Sequence, residues 1–196
     1  MDEETISRKI RWAWLAGIID GEGSLEATWC TRKNISKKTG ECLITKGFYC
    51  RIRIDNTDPR MIEKASIIYK ENNIGFYYCT YKDNRPNRRW AISITVQGKG
   101  NCKKVLLGIL PYIYNKRDQV NKFLELIEYR SSLGYKDGFK KIKGSRWTGW
   151  NVDPDWKPLD QDEALIKLVQ DLLYLKHNPP SPSETIREAN KVLILC

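Results

Sequence analysis

The stretch Trp12–Ser24, with the sequence WAWLAGIIDGEGS, constrains the fold of this chain more than any other. It begins as an apolar helix in which Ala13, Ala16 and Gly17 are small. Ala13, Gly17 and Asp20 recur at helical spacing and therefore share one face. Because small side chains allow two helix backbones to approach closely, we predict that a second helix packs against this face.

The same stretch ends in an acidic turn. Gly21 and Gly23 bracket Glu22, and glycine permits backbone angles that a side chain would forbid. Glu22 then lies at the C-terminal end of a helix, where the helix dipole disfavours an anion, so we expect a cation beside it. The helix itself is predicted to begin at Ser7, whose hydroxyl can accept from a free N–H of the first turn. The alternative is a buried helix with a Gly-rich end, in which Glu22 is merely solvated.

The amino-acid composition indicates which kind of partner the protein binds. Lys and Arg number 34 against 24 Asp and Glu, which gives a net charge of +10 in 196 residues. A surplus of this size indicates a polyanionic partner, either nucleic acid or an anionic membrane surface. No apolar run approaches the ~18–20 residues that span a bilayer, and the acidic N-terminus lacks the features of a signal peptide. We therefore expect an intracellular, nucleic-acid-binding protein without a membrane partner, in the cytoplasm or an organelle matrix.

The cysteines and the single histidine argue against two other kinds of functional site. Six cysteines lie at positions 30, 42, 50, 79, 102 and 196, without any C-x-x-C pair, and the only histidine is His177. This pattern disfavours a zinc site and histidine-based nuclease chemistry. We expect the thiols to be reduced.

Alternation of polar and apolar residues predicts strands over residues 24–32, 43–55, 76–82 and 88–97, with Trp90 facing inward. Helices precede, separate and follow the two pairs of strands, and Asp118 is the predicted cap of the helix that continues to residue 131. This order predicts an α+β unit in which one four-stranded antiparallel sheet is covered by helices on one face. The other face is a candidate surface for contacting DNA bases, and a solvated face is the alternative. Its predicted DNA-binding residues are Ser24, Glu26, Thr28, Arg32, Tyr49, Arg51, Arg53, Asp55, Tyr78, Thr80, Lys82, Arg89 and Ser93.

The chain is predicted to divide into a core at residues 1–131 and a C-terminal extension at residues 132–196 that packs on it. The extension begins with a Gly-, Lys- and Trp-rich segment and continues as an amphipathic helix over residues 160–177. The first segment either makes a second contact with DNA or folds back on the core.

The segment Leu15–Gly23, LAGIIDGEG, closely resembles the signature of the LAGLIDADG homing endonucleases. The resemblance covers residues 8–130 and implies the αββαββα fold of that family, whose sheet forms a saddle over the DNA groove. The chain has one such motif, because the segment 133–138 matches it too poorly. The resemblance therefore implies a homodimer whose interface includes Ala13, Ala16, Gly17 and Asp20. Two-fold symmetry then predicts a nearly palindromic DNA target.

The resemblance also implies the chemistry of the site. Glu22 and the Gly21 carbonyl match the family's metal ligands, for which Asp20 is a rival that is mainly structural in the family. The expected cofactor is Mg²⁺, with Mn²⁺ as a substitute and Ca²⁺ binding without supporting cleavage. Metal ions of this kind activate water and stabilise the leaving oxygen in phosphodiester hydrolysis.

Three further residues are implied to act in catalysis. Asn56 falls at a position that helps to order water, although some family members carry glutamine there. Arg60 and Lys116 match basic residues near the scissile phosphate, and Arg117 is an alternative to Lys116. The implied catalytic residues are Glu22, Asn56, Arg60 and Lys116.

The expected function is site-specific, staggered double-strand cleavage of DNA by an intron-encoded homing endonuclease. Two alternatives remain open: an RNA-binding maturase that helps intron RNA to splice, and a DNA-binding regulator of the same fold that does not cleave.

Overall fold

The structure is a computed structural model that describes residues 2–35, 42–82, 90–132 and 162–178, with only the backbone described for 29–35 and 42–48. These ranges form nine elements in the following order: α1 (Glu3–Glu22), β1 (Gly23–Ile35), β2 (Cys42–Asn56), α2 (Pro59–Glu71), β3 (Phe76–Lys82), β4 (Trp90–Gln97), α3 (Lys99–Ile109), α4 (Arg117–Ser132) and α5 (Glu163–His177). The predicted α+β class and element order are confirmed. None of the helices in these ranges combines the length and the apolar character needed to cross a bilayer.

The four strands form one antiparallel sheet in the order β1-β2-β4-β3. Helices cover the face on which the inward side chains of three strands are buried, as the alternation predicted. These side chains are Leu25, Ala27, Cys50, Ile52, Ile54, Ile94 and Val96. The sheet therefore has one apolar, helix-covered face and one face that carries the polar side chains.

The helix layer contributes the other half of the same core. Large, fully buried side chains come from α1, α2, α3 and α4, among them Leu15, Ile19, Tyr69, Leu106 and Phe123. Helix α5 packs against this core with four buried side chains, which are Leu165, Leu168, Val169 and Leu172. The division of the chain at residue 131 stays a prediction, although α5 packs directly on α4 and β1.

Helix α1 begins earlier than predicted. Its N-cap is Asp2, whose carboxylate accepts a hydrogen bond from the backbone N–H of Thr5 at 2.7 Å, and Ser7 lies inside the helix. Glu3 and Glu4 occupy the first turn, where an anion stabilises the positive end of the helix dipole. A local sequence signal cannot distinguish these two caps, because both residues carry an acceptor oxygen.

The register of β3 corrects part of the predicted DNA-binding surface. Tyr78 lies opposite Ile94, which is buried under the helices, so Tyr78 and its alternate neighbours Thr80 and Lys82 belong to the helix-covered side of the sheet. The ring of Tyr78 accordingly packs edge-on against Phe76 at 5.4 Å. The assignment of these three residues to the polar face is therefore wrong.

Trp90 lies on the predicted inward side of β4, in line with Ile92 and Ile94, but the helices do not cover it and it is 63% exposed. Trp90 is paired with Lys82 at the end of the sheet. Alternation gives the side of the sheet to which a residue belongs, but not whether a helix reaches far enough to cover it.

Gly23 is required for close packing, not for an unusual backbone angle. Its φ of −77° is open to any residue, so the predicted conformational role of Gly21 and Gly23 is wrong. A Cβ at Gly23 would lie 2.7 Å from both the Cα and the carbonyl oxygen of Ile19. The first residue of β1 thus lies directly against the last turn of α1.

This contact predicts the effect of a single methyl group. We expect Gly23→Ala to lower the free energy of unfolding by about 2–3 kcal/mol, because backbone atoms of the last turn would have to move. Gly100→Ala is the matched control, since a Cβ there meets no atom within 4 Å. Urea denaturation of both variants measures the difference. Equal stability of the two variants would contradict the packing role of Gly23.

Candidate functional site

Asp20 fixes the C-terminal end of α1 to the loop before α4. Its carboxylate accepts hydrogen bonds from the backbone N–H groups of Tyr114, Asn115 and Lys116 at 2.9, 3.0 and 2.9 Å. Free N–H groups at the start of a helix are usually satisfied by a cap close in sequence, which Asp118 was predicted to supply. Asp118 instead lies within the first turn of α4, and the distant Asp20 satisfies the preceding loop.

Lys116 also joins the end of α1 to the loop before α4. We call this contact region, formed by Asp20, Lys116 and the end of α1, the junction. Its ammonium donates to the carbonyl oxygens of Ile19 and Gly23, at 2.7 Å each, and so neutralises the negative end of the α1 dipole. Burial lowers the pKa of Lys116, and the negative charges of Asp20 and Glu22 partly oppose that shift. The cation predicted to lie near Glu22 is therefore Lys116. An ammonium has three donors, so one N–H of Lys116 remains after the two carbonyl contacts.

Glu22 and Gly21 are exposed beside this cation, at the end of α1. The carboxylate of Asp20 is already engaged by three backbone donors, whereas Glu22 forms no hydrogen bond or ion pair among the described residues. No group of three His, Cys, Asp or Glu side chains suited to a metal ion occurs in the ranges that the structure describes. Carboxylate and carbonyl oxygens are nevertheless the donors that Mg²⁺ prefers, and this ion retains several water ligands. Glu22 and the Gly21 carbonyl therefore fit a Mg²⁺ site for which one chain supplies only some of the ligands.

Asn56 lies at the same end of the sheet as Glu22. Gly23, the first residue of β1, pairs with Ile54, and Asn56 is the last residue of β2, so Asn56 lies at the end of the sheet where α1 ends. The Asn56 side-chain oxygen accepts a hydrogen bond from the backbone N–H of Asp58 at 2.8 Å, which shapes the turn into α2. Its amide NH₂ is the group that can face a water molecule.

Arg60 forms an ion pair with Asp58 at the start of α2. Its guanidinium pairs with the Asp58 carboxylate at 2.7 Å, and the Arg60 side chain is 86% exposed. Asp58 also caps α2 by accepting from the Arg60 backbone N–H at 3.0 Å. The structure therefore places Glu22 near Lys116 at the end of α1, with Asn56 at the same end of the sheet, whereas the guanidinium of Arg60 is engaged by Asp58.

The polar face of the sheet is built from two ordered ion pairs. Arg51 contacts the Glu26 carboxylate at 2.5 Å, and the Ser24 hydroxyl donates to the same carboxylate at 2.7 Å. Arg53 contacts Asp55 at 2.7 Å in a second pair. Thr28 and Tyr49 lie on the same side, which places the predicted residues of β1 and β2 together.

Strand β4 adds Ser93 to the second pair. The Ser93 hydroxyl donates to Asp55 and accepts from the Arg53 Nε at 3.0 Å, and Ser93 is buried beneath these side chains. The Arg53 guanidinium also lies over the Tyr81 ring, 5.2 Å from its centre. Ser93 therefore orients Arg53 and is not an exposed contact residue.

Three residues of this face were missed from the sequence. The register places Tyr77, Cys79 and Tyr81 on the polar side of β3, in line with Thr95, Ser93 and Ala91 of β4. Strand β3 lies at the sheet edge and all seven of its residues are polar or aromatic, so its alternation carries no signal of sidedness. The side chain of Arg32 and the whole of Arg89 lie outside the described residues.

Helix α1 exposes a stripe of small and aliphatic residues. Ile6 and Ile10 are 42% and 63% exposed, and Ala13 is also exposed. A Cβ at Gly17 would meet nothing within 4 Å. Ala16, in contrast, is fully buried inside the protomer. The dimer-interface prediction is thus wrong for Ala16, and the carboxylate of Asp20 is engaged within its own chain.

The ion pair of Glu26 predicts a specific dependence of stability on pH. Burial raises the pKa of Glu26, but the hydrogen bonds from Ser24 and Arg51 outweigh that effect and leave the pKa below its ordinary value of 4.5. The folded state therefore gains stability from the ionised carboxylate above about pH 4.5 and loses it as pH falls through the folded-state pKa. We expect Glu26→Gln to be less stable than the wild type at pH 7, with the difference vanishing in acid. Urea titrations from pH 7 to pH 2 test this expectation, with the exposed Glu63→Gln as control, and a constant difference would contradict it.

Comparisons with known proteins find similarity in solved structures. No protein-family model matches this sequence, and no curated protein sequence matches it. The homing endonuclease I-CvuI, in complex with the I-CreI target in the presence of Mg with its DNA not cleaved, is 20% identical over 63% of this chain and 69% of that chain, with a TM-score of 0.45. The same enzyme with its own target and Ca is 18% identical over 66% of this chain and 73% of that chain, with a TM-score of 0.44.

An archaeal intron-encoded homing endonuclease, I-Vdi141I in complex with DNA, is a further similar structure. It is 15% identical over 87% of this chain and 84% of that chain, with a TM-score of 0.48. All three structures contain homing endonucleases.

Proposed function

We propose that this protein is a homodimeric, divalent-metal-dependent endonuclease that cuts both strands of a nearly palindromic DNA site, in the manner of the LAGLIDADG homing endonucleases. The observation that carries the proposal is the junction at the end of α1. There the motif presents an exposed Glu22 beside the Lys116 ammonium, at one end of a sheet whose open face carries ordered Arg–carboxylate pairs. Binding DNA would not by itself require a carboxylate next to the phosphates, which favours cleavage over a purely regulatory role.

A dimer follows from the incomplete donor set of one chain. Among the described residues, Glu22 is the single carboxylate at this junction that has no partner, because three backbone N–H groups engage Asp20. A second copy packed on the Ala13–Gly17 face of α1 would bring a second Glu22 to the same centre. The exposed stripe described above supports this packing, because Gly17 leaves room for a neighbouring helix.

Glu22 of each copy, with the Gly21 carbonyl, would hold Mg²⁺ at the scissile phosphates. The bound ion would supply Lewis-acid stabilisation of the phosphate charge and a more acidic water. The chain's own groups would do the remaining work. The third N–H of Lys116 would donate to a phosphate oxygen as negative charge develops there, and the Asn56 amide would orient the attacking water.

Arg60 would act at the rim of the site. A DNA phosphate can compete with Asp58 for the Arg60 guanidinium, since that ion pair is largely exposed and surface pairs are weak. On the sheet face, Arg51 and Arg53 are held in fixed orientations by their carboxylate partners. Such preorganised guanidinium groups suit bidentate contacts with guanine edges in the major groove.

Selection from a randomised pool tests the proposal against its RNA-binding alternative. Pools of duplex DNA and of structured RNA are incubated with the protein in Ca²⁺, which we expect to support binding without cleavage, and the bound molecules are sequenced. We expect duplexes with two related half-sites, each spanning about one helical turn or ~10 bp. Enrichment of RNA without any duplex would favour the maturase instead.

A further inference from the structure

Helix α5 is fastened at both ends, so the position of its last turn is defined. At its start, the Tyr129 hydroxyl donates to the carboxylate of Asp162, the N-cap, at 3.1 Å. Near its end, the Gln119 side-chain amide donates to the Leu175 carbonyl at 3.2 Å, and Gln119 is almost fully buried. Four buried aliphatic side chains hold the helix between these points. The C-terminal turn of α5 therefore lies against the first turn of α4.

This placement brings Lys176 to the edge of the candidate site. Lys116 lies just before α4, and Lys176 directly follows Leu175 in the turn that Gln119 holds. Lys176 also lines a groove between β1 and α5 together with Leu25, Glu26 and Thr28. Its positive charge lowers the pKa of both Lys116 and Glu26, as expected for an ammonium that lies near each of them.

The groove itself does not form a small-molecule site. Its volume of about 260 Å³ lies below the ~300 Å³ at which ligand pockets begin. The groove lies along the edge of the sheet formed by β1, where apolar side chains of β1 and α5 line it beside Glu26, Thr28 and Lys176. We call this edge the α5 flank. The charge that it can offer a partner is that of Lys176, because Glu26 is paired with Arg51.

Lys176 is exposed and, among the described residues, has no hydrogen-bond or ion-pair partner within 4 Å. The nearby Glu26 carboxylate is already paired with Arg51 and Ser24. Lys176 thus presents an exposed positive charge beside Glu26 and Thr28 of β1, on the side of the molecule where Lys116 lies. A polyanion that lies along this part of the sheet could bind that charge without displacing an internal ion pair.

We propose that Lys176 contacts the DNA backbone beside the cleavage site, so that α5 extends the DNA-binding surface of the sheet. This inference rests on the proposed function, because it assigns the same duplex to the α5 flank. The ammonium would bind a phosphate as a point charge on a flexible stem, which gives affinity without sequence preference. No feature of the sequence singles out this residue, because it lies far along the chain from the motif.

Removal of the charge tests the assignment, with a control on the same helix. We expect Lys176→Met to weaken binding of the selected duplex about 3- to 10-fold in Ca²⁺. The slope of log affinity against log salt should fall by about 2 for a homodimer, that is, about 0.9 for each lost phosphate contact. Lys176→Arg should restore most of the affinity. Lys167→Met removes the same charge nine residues earlier, on the opposite side of α5, and should leave both quantities unchanged.

The outcomes separate this inference from the proposed function. If the wild type binds a duplex and Lys176→Met matches Lys167→Met in affinity and salt slope, the phosphate contact is overturned while the endonuclease proposal stands. If the wild type selects no duplex at all, the proposed function and the contact fall together. Circular dichroism and urea denaturation of each variant verify that α5 remains packed.

Discussion

Glu22→Gln is expected to reduce DNA cleavage by about 10³-fold or more while leaving DNA affinity equal to that of the wild type or slightly tighter. The substitution keeps the shape of the side chain and removes the charge that would hold a divalent cation. Because Glu22 is exposed and forms no hydrogen bond or ion pair among the described residues, the protomer loses only its attraction to Lys116, and its stability should change little. The reduced repulsion of the phosphates then offsets the attraction lost with the cation, so we expect little net change in DNA affinity.

The measurement is single-turnover cleavage in Mg²⁺, with affinity determined separately in Ca²⁺. Glu4→Gln is the matched control, because it makes the same change on the same helix, eighteen residues or about 27 Å from Glu22. Equal cleavage by the two variants would remove Glu22 from the site. Loss of binding by a correctly folded Glu22→Gln would contradict its role as a metal ligand.

Gly17→Phe is expected to weaken self-association by at least about 100-fold and to abolish double-strand cleavage. Gly17 is exposed and a Cβ at this position meets no neighbouring atom within 4 Å, so the protomer should fold normally. A phenyl ring would, however, prevent the close approach of a second α1 helix. Since each chain offers one unengaged carboxylate at the junction, the isolated protomer should bind half-sites weakly and fail to cut.

Sedimentation or light scattering across a range of concentrations gives the oligomeric state of the variant. Glu4→Phe adds the same ring to α1 about 140° around the helix from Gly17 and should leave the dimer intact. A Gly17→Phe protein that remains dimeric and active would show that α1 is not the interface.

Periodicity predicted the elements and most of the sheet faces correctly, for a physical reason. In β1, β2 and β4 one face is buried, so the alternation of residues such as Ile52 and Arg53 has only one compatible orientation. In β3 the residues are all polar or aromatic and the strand lies at the edge, so the face of Tyr78 is decided by pairing with β4 alone.

The contacts that build the site span much longer distances in sequence. Asp20 accepts hydrogen bonds from residues 94 to 96 positions away, and Lys116 donates to carbonyls at similar separation. The motif resemblance implied that both residues matter, but not that they are joined through one loop. The resemblance did not point to Lys176, because the residues that surround Lys176 depend on how α5 packs on α4.

Local signals also failed where two residues offered the same chemistry. Asp2 and Ser7 can each cap a helix, and the folded chain uses the earlier one. Ala16 and Gly17 are both small, yet Ala16 is buried within the protomer while Gly17 is open. Composition alone cannot distinguish a small residue that fits a core from one that admits a partner.

The most direct test of the account is to map the cut on the selected duplex. The wild type is incubated with the duplex, labelled on each strand in turn, in Mg²⁺, Mn²⁺ and Ca²⁺. We predict one break in each strand, at positions related by the two-fold axis of the site and offset to give a stagger, with Mg²⁺ or Mn²⁺ and none with Ca²⁺. A duplex that is bound tightly but stays intact in both Mg²⁺ and Mn²⁺ would contradict the endonuclease assignment and leave a DNA-binding protein that does not cleave.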